Sequence, residues 1–202
     1  MPLSLPATSF PVPDGEVRYF AGAFGPPEAD ELFRRLRAEI DWRQEEILMF
    51  GQRHRVPRLV AWHGDTGAEY RYSGVLHRPE AWTPTLERIR SRVEELAGQP
   101  FNAVLLNLYR DGRDGMGWHA DAEPELGRDP VIASVSLGAT RRFCMRHRRQ
   151  KQQVLNIDLE HGSLLLMQGP TQHHWVHALP KTTRAVGERI NLTFRRVTPV
   201  AA

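Results

Sequence analysis

The sequence predicts a mainly β fold with flanking helices (α+β), a sandwich or barrel of short strands against which two helices pack. Three observations predict it. Five short apolar runs crowd the C-terminal half, at 103–109, 131–137, 154–159, 163–167 and 189–194. Gly, Pro, Asp and Asn clusters separate them, the pattern of short strands joined by turns. Two stretches of the N-terminal half instead repeat apolar residues at helical spacing. The length of 202 residues suits one structural domain. A composition of 41% hydrophobic and 25% charged residues excludes disordered, collagen-like and coiled-coil classes.

Taken in order, residues 1–15 are Pro-rich and predict an extended arm, and 16–20 (EVRYF) a short strand. Pro26, Pro27 and Asp30 precede a helix on which Leu32, Leu36 and Ile40 share a face. A second helix is predicted over 84–97, with Leu86, Ile89, Val93 and Leu96 on its apolar side and Gly98 as its stop. The β core then fills 101–197. Neither an internal repeat nor a low-complexity stretch interrupts the chain. No run of about 18 apolar residues predicts a membrane span, and the first residues, without a basic start, are not expected to act as a secretory signal. Cys144 is the single cysteine, which excludes an intramolecular disulfide and a Cys-based zinc site and suits a reducing compartment. A bacterial-type cytosol is expected rather than a nucleus, and a monomer rather than an assembly. The formal charge is only +3, so any nucleic-acid binding must come from local patches.

Gly117-Trp118-His119-Ala120-Asp121 is the first segment with chemistry in it. In extended backbone, residues i and i+2 point the same way, so His119 and Asp121 converge. A further histidine from His173-His174-Trp175-Val176-His177 would complete a two-His, one-carboxylate set that leaves coordination positions open and favours non-haem Fe(II). His-x-Asp alone is equally a solvated pair. In the RINLTFRR segment, Arg189, Asn191, Thr193 and Arg195 share one strand face, and Ile190, Leu192 and Phe194 the other. The polar face is either solvated or lines a cavity. Two guanidiniums in a cavity need an anionic guest, and a small dicarboxylate would suit their bidentate geometry. Asn107 and Tyr109 form another i, i+2 pair able to donate to that anion, or simply a polar strand face.

Together NLYRDGRDGMGWHAD, SVSLGATRRF, HGSLLLM, HHWVHALP and RINLTFRR resemble, in order and spacing, the AlkB-type Fe(II)- and 2-oxoglutarate-dependent dioxygenases that dealkylate nucleic acids. The likeness runs through MFGQRHRVPR and EYRYSG and covers roughly 40–196, with the branch acting on duplex DNA the most similar. It implies a double-stranded β-helix (jelly roll) core buttressed by the two helices, with 16–100 holding helices and a nucleotide-recognition lid and wedge. It implies Fe(II) and 2-oxoglutarate as cofactor and co-substrate, with O2 as oxidant. The ligands would be His119, Asp121 and His177. Arg189 and Arg195 would hold the oxoglutarate carboxylates, with Asn107, Tyr109 and Asn191 beside them. Tyr70 and Tyr72 match a lid over a flipped base, Glu123 an acid near its exocyclic group, and Arg58 belongs with the substrate contacts. In the duplex-acting branch an acid also occupies the position before Glu123; here that residue is Ala122. The implied reaction is oxidative removal of N-alkyl groups from DNA bases, of the 1-methyladenine and 3-methylcytosine type, with formaldehyde, succinate and CO2 as products.

Met49 and Phe50 before Gly51 are either a core strand end or an apolar wedge. With Arg53, Arg55 and Arg58 following, a wedge beside cations is how proteins enter a base stack. The resemblance supports Phe50, with Met49, filling the gap left by an extruded base, and Arg53 and Arg55 are expected to hold the flanking phosphates. A second basic run, Arg141, Arg142, Arg146, Arg148, Arg149 and Lys151, is expected as a loop between strands, either merely solvated or, through Arg146, Arg148 and Arg149, binding phosphates without reading sequence. DNA is thus the expected partner, double-stranded preferred and single-stranded possible. RNA or protein substrates, a non-catalytic binder and a cupin-like metalloenzyme are the competing readings.

Overall fold

The computed structural model describes residues 5–49, 52–68, 70–72 and 75–198. Fifteen strands, numbered β1 to β15 along the chain, and three α-helices are assigned in it. Seven strands form the larger sheet in the order β1 (Thr8–Phe10), β2 (Glu16–Phe20), β13 (Ser163–Gln168), β10 (Ile132–Gly138), β15 (Arg189–Arg195), β8 (Ala103–Tyr109) and β5 (Leu59–Gly64). Four form the smaller sheet in the order β12 (Val154–Leu159), β11 (Arg141–His147), β14 (Trp175–Leu179) and β9 (Met116–His119). Two hairpins stand apart, β3 (Glu46–Met49) with β4 (Gln52–Arg55), and β6 (Tyr70–Tyr72) with β7 (Val75–His77). Neighbouring strands in both sheets run antiparallel, and the two facing sheets make the predicted jelly roll.

Helices α1 (Pro26–Glu39) and α2 (Pro84–Ala97) cover the outer face of the larger sheet. Pro84 opens α2 at a position where its missing N–H costs nothing. The Thr83 hydroxyl accepts from the Leu86 N–H at 3.2 Å, and Gly98, at φ 73°, ends the helix in the left-handed conformation that glycine adopts freely. Ala29, Leu32 and Leu36 of α1 and Leu86, Ile89 and Val93 of α2 join one apolar cluster with Leu106, Leu108, Val135, Leu164, Leu166, Ile190, Leu192 and Phe194. The alternate residues of the same strands, including Leu165, Met167 and Ile132, face the other way and pack with Phe143, Met145 and Ile157 of the smaller sheet. The period-2 alternation of each strand therefore serves two cores.

Strands β8 and β12 coincide with their predicted ranges, and β10, β13 and β15 end one residue later than predicted. One expectation is overturned. Most of the basic run is not a loop: 141–147 is strand β11, buried at Arg141, Phe143, Met145 and His147 and exposed at Arg142 and Arg146. Apolar residues interleaved with the cations give the strand its inner face. Only Arg148, Arg149 and the residues just after them form the connection to β12, and both arginines are exposed there.

Asp114 shapes the turn between β8 and β9. Its buried carboxylate accepts from the Arg110 backbone N–H at 2.9 Å, from Nε at 2.7 Å and from Nη2 at 2.9 Å. Burial works to raise its pKa, but the Arg110 hydrogen bonds and charge outweigh it, and the group sits below the ordinary carboxylate value. A carboxyl whose folded pKa is depressed contributes stability that is full above its unfolded value, near 3.8, and is lost as pH falls through the folded one. Asp114→Asn should therefore cost about 1–3 kcal/mol at neutral pH. In urea titrations at a series of pH values, its deficit relative to the parent protein should shrink below about pH 4.

Candidate active site

The cavity between the two sheets is lined chiefly by alternate residues of β8, β14 and β15, with Met116 and His119 of β9 and single residues of β10, β11 and β13. His119 and His177 are cross-strand partners in the β9–β14 pairing, with ring centroids 4.3 Å apart. Asp121 follows β9 in extended chain, its backbone N–H donating to Gln172 Oε1 at 3.0 Å. One ligand atom from each of His119, Asp121 and His177 lies within 4.8 Å of the others, and His177 Nε2 is 3.7 Å from Asp121 Oδ2. Separation along the chain does not tell which histidine joins the pair; strand pairing selects His177. His173 instead meets the Arg128 carbonyl and Asp129.

Protonation states follow from the surroundings. The Gly117 carbonyl lies 2.9 Å from His119 Nδ1 and can only accept, so Nδ1 carries the proton and Nε2 offers a lone pair. Burial, reinforced by the neighbouring His119, holds the His177 pKa down to about 3, so its imidazole is neutral at physiological pH. Burial pushes Asp121 toward protonation, yet the charge of Arg195 beside it prevails and keeps its pKa below the usual value. Arg195 Nη2 donates to Asp121 Oδ1 at 2.5 Å. Two imidazoles, each with a ring nitrogen available to a metal, and one ionised carboxylate are the donor set that suits ferrous iron.

All seven residues of β15 are buried, which removes the solvated reading of its polar face. Arg189, Asn191, Thr193 and Arg195 line the cavity with Asn107, Tyr109 and Ser134. Asn191 is committed to the wall: its Nδ2 donates to Ser134 Oγ and the Val135 carbonyl, and its Oδ1 accepts from Thr193. Arg189 donates to Ser136 Oγ at 2.8 Å. Its guanidinium stands 5.3 Å from the Tyr109 ring centre, and burial lowers its pKa to about 10, so it remains charged at neutral pH. Its Nε is buried and has no hydrogen-bond partner among the described residues. A buried donor on a buried cation is costly without an acceptor, so the cavity is complementary to an anion at this end and to a metal cation at the other. The residues fit both iron and a diacid.

Arg58, expected among the substrate contacts, is buried and donates from Nε to Asn107 Oδ1 at 2.7 Å. Because a guanidinium only donates, the atom it meets is the amide oxygen, and the Asn107 NH2 remains for the cavity. Arg58 thus acts on the site through Asn107. Glu123 is partly buried, with Oε2 enclosed and lacking a hydrogen-bond partner among the described residues. Arg55 is exposed, 3.5 Å from Glu46. Only the backbone of Met49, Arg53, Tyr70 and Tyr72 is described, within β3, β4 and β6, and Phe50 lies outside the described residues. Arg146 stacks at 4.2 Å over Trp118, which is 45% exposed. Sequence reasoning missed this tryptophan; its signal was alternation, since Trp118 must face opposite His119.

A second cluster, Asp14, His147 and His174, also gathers possible ligands. The backbone N–H groups of Arg149 and Gln150 both reach His147 Nδ1, which must accept. The ring proton is therefore on Nε2, directed at Asp14 Oδ2 3.2 Å away. This histidine ties the N-terminal segment to β11 and has no lone pair left for a metal.

Breaking the central pair should be costly. Asp121→Ala leaves the Arg195 charge buried without its carboxylate, so urea titration should show a loss of about 3–5 kcal/mol. Mn(II) binding, followed by calorimetry, should disappear with it.

Known proteins share this architecture. The family model of the 2OG-Fe(II) oxygenase superfamily matches residues 16–195. DNA oxidative demethylase ALKBH2 of Mus musculus is 45% identical over 186 residues, covering 87% of this chain and 78% of that protein. The Homo sapiens ALKBH2 is 44% identical over 184 residues, covering 86% and 70%. Alpha-ketoglutarate-dependent dioxygenase alkB homolog 3 of Homo sapiens is 40% identical over 181 residues, covering 85% and 63%. A solved structure of OsALKBH1 superposes with a TM-score of 0.68 over 95% of this chain and all of that one; at 16% identity it speaks for the fold alone. The chain belongs to the 2OG-Fe(II) oxygenase superfamily, whose chemistry uses Fe(II), 2-oxoglutarate and O2, and it is a dioxygenase.

Proposed function

We propose that this dioxygenase repairs DNA directly by oxidative demethylation of N-alkylated bases, of the 1-methyladenine and 3-methylcytosine type. The observation that carries the reading is the His119–Asp121–His177 donor set, its aspartate and His177 buried and His119 partly so, abutting the arginine face of β15. Substantial identity to proteins named as DNA oxidative demethylases supports it. Bound iron and 2-oxoglutarate supply dioxygen-driven oxidation of the N-alkyl carbon, which leaves as formaldehyde while the co-substrate becomes succinate and CO2.

The chain's own part is to hold, orient and exclude. His119, Asp121 and His177 hold the metal, their protonation states set by Gly117, Arg195 and burial. Arg189, with Tyr109 and the Asn107 amide, holds the distal carboxylate of the diacid, and Arg195 stands at the metal end. Asn191 stiffens the wall between them. Tyr70 and Tyr72 cover the extruded base, and Glu123 presents its carboxylate near the exocyclic group.

The substrate is duplex DNA in this reading, with single strands also accepted. A base within a helix cannot reach a buried metal, so it must flip, and alkylation of its pairing edge lowers that cost. Phe50 and Met49 enter the vacated stack, while Arg53, Arg55, Arg146, Arg148 and Arg149 meet phosphates. The protein acts as a monomer in a reducing cytosol. No helix among the described residues is long and apolar enough to cross a membrane.

The test is anaerobic addition of Fe(II) and 2-oxoglutarate to the protein with methylated duplex or single-stranded oligonucleotides, followed by air and mass analysis of the bases. Loss of one methyl together with succinate release is expected; succinate formed while the methylated base persists would sink the assignment. Unstacking costs a few kcal/mol, and about 1.4 kcal/mol is tenfold in rate. Phe50→Ala should therefore slow duplex repair about tenfold or more and leave single-strand repair almost unchanged. Replacing Arg148 and Arg149 by Ser should weaken binding to all sequences alike. It should also flatten the salt dependence by about one unit of slope for each phosphate no longer neutralised.

A further inference from the structure

Arg141 is a buried cation that the reading above does not use. It is 3% exposed and projects from the inner face of β11. Nη1 donates to the Asp111 carbonyl at 3.1 Å, and Nη2 to the carbonyls of Asp114 and Pro180, each at 2.9 Å. One fork thus ties the turn after β8 to the end of β14. The carboxylates nearby are engaged elsewhere, Asp111 with Arg113 and Asp114 with Arg110. All three hydrogen bonds of Arg141 go to neutral carbonyls.

Its position has a consequence for the cavity. The Arg141 guanidinium lies 5.9 Å from the Tyr109 ring centre, and that of Arg189 lies 5.3 Å from the same ring. Two buried guanidiniums flank one tyrosine at the end of the cavity remote from the donor set. Tyr109 lines the cavity, while Arg141 lines a separate outer groove with Thr140, Pro180 and Thr182. Arg141 therefore stands between Tyr109 and the outer groove. Two buried like charges around one ring are unfavourable unless an anion offsets them, and a simple plug would need no charge.

We propose that Arg141 is a positioning residue for the diacid co-substrate: by fixing Tyr109 and walling off the distal end, it sets both the affinity for the distal carboxylate and the chain length admitted, selecting a five-carbon 2-oxo diacid over the six-carbon homologue. The inference rests on 2-oxoglutarate binding in this cavity and not on the identity of the alkylated substrate.

The experiment titrates 2-oxoglutarate and 2-oxoadipate by calorimetry into the full-length protein loaded with Mn(II), which keeps turnover out of the readout. Arg141→Gln should weaken 2-oxoglutarate binding about tenfold or more, the scale of losing a charge-assisted interaction. It should also narrow the preference over 2-oxoadipate and leave Mn(II) affinity within about twofold. Because Arg141 acts through Tyr109, the loss in Arg141→Gln/Tyr109→Phe should fall short of the product of the single losses. A folded Arg141→Gln protein with parental 2-oxoglutarate affinity and parental length preference overturns the inference. Should that variant not fold, Arg141→Lys takes its place: it keeps the charge but cannot span three carbonyls, and an unchanged length preference in it is equally fatal. A parent protein that takes up no 2-oxoglutarate would overturn the underlying co-substrate reading; parental binding with an indifferent variant overturns this inference alone.

Discussion

A strand buried on both faces cannot carry two arginines unless its register is fixed from outside. In β15, Ile190, Leu192 and Phe194 are fully buried against the helices, and Arg189, Asn191, Thr193 and Arg195 turn into the cavity. A slip of one residue would exchange the two sets, driving guanidiniums into an apolar cluster and phenylalanine onto the donor set. Burying each large apolar side chain contributes about 1.5–3 kcal/mol, so those three residues oppose the slip strongly. Helices that touch no part of the chemistry thereby decide where the cations stand.

The same logic explains what could be seen in the chain beforehand. Alternation in RINLTFRR and the i, i+2 spacing of His119 and Asp121 are local, and local spacing survives folding. The second imidazole was not legible from spacing, because β14 reaches β9 across the sheet and several histidines compete for the place. The family likeness supplied His177, and the pairing accounts for it. Strands β5 and β14 escaped notice because their apolar residues are mixed with His or Gly within five or six positions. At that length they have no distinct period.

Charged residues were the poorest guide. Arg58 and Arg141 both sit among other cations in the sequence, and clusters of that kind default to a solvated face. Both are buried, and each spends its donors on neutral oxygens, the Asn107 amide in one case and three backbone carbonyls in the other. The signal for Arg141 lay in its neighbours: Phe143, Met145 and His147 continue its face at every second residue. Arg142 and Arg146, on the intervening positions, remain in solvent. A run of cations has to be parsed by strand period before it is treated as a patch.

Arg195 joins the two halves of the cavity. Burial alone would favour a protonated Asp121, and it is the guanidinium above all that keeps the carboxylate ionised; on the proposed roles, metal affinity then depends on a residue outside the donor set. Asp121 and Arg195 are committed to each other at 2.5 Å. A metal drawing on the same carboxylate weakens that hold and leaves the guanidinium more charge for an anion. On the proposed roles, metal therefore favours diacid, and linkage requires diacid to favour metal by the same factor. The coupling needs no moving lid or distant relay. It follows from one buried carboxylate shared between two cations.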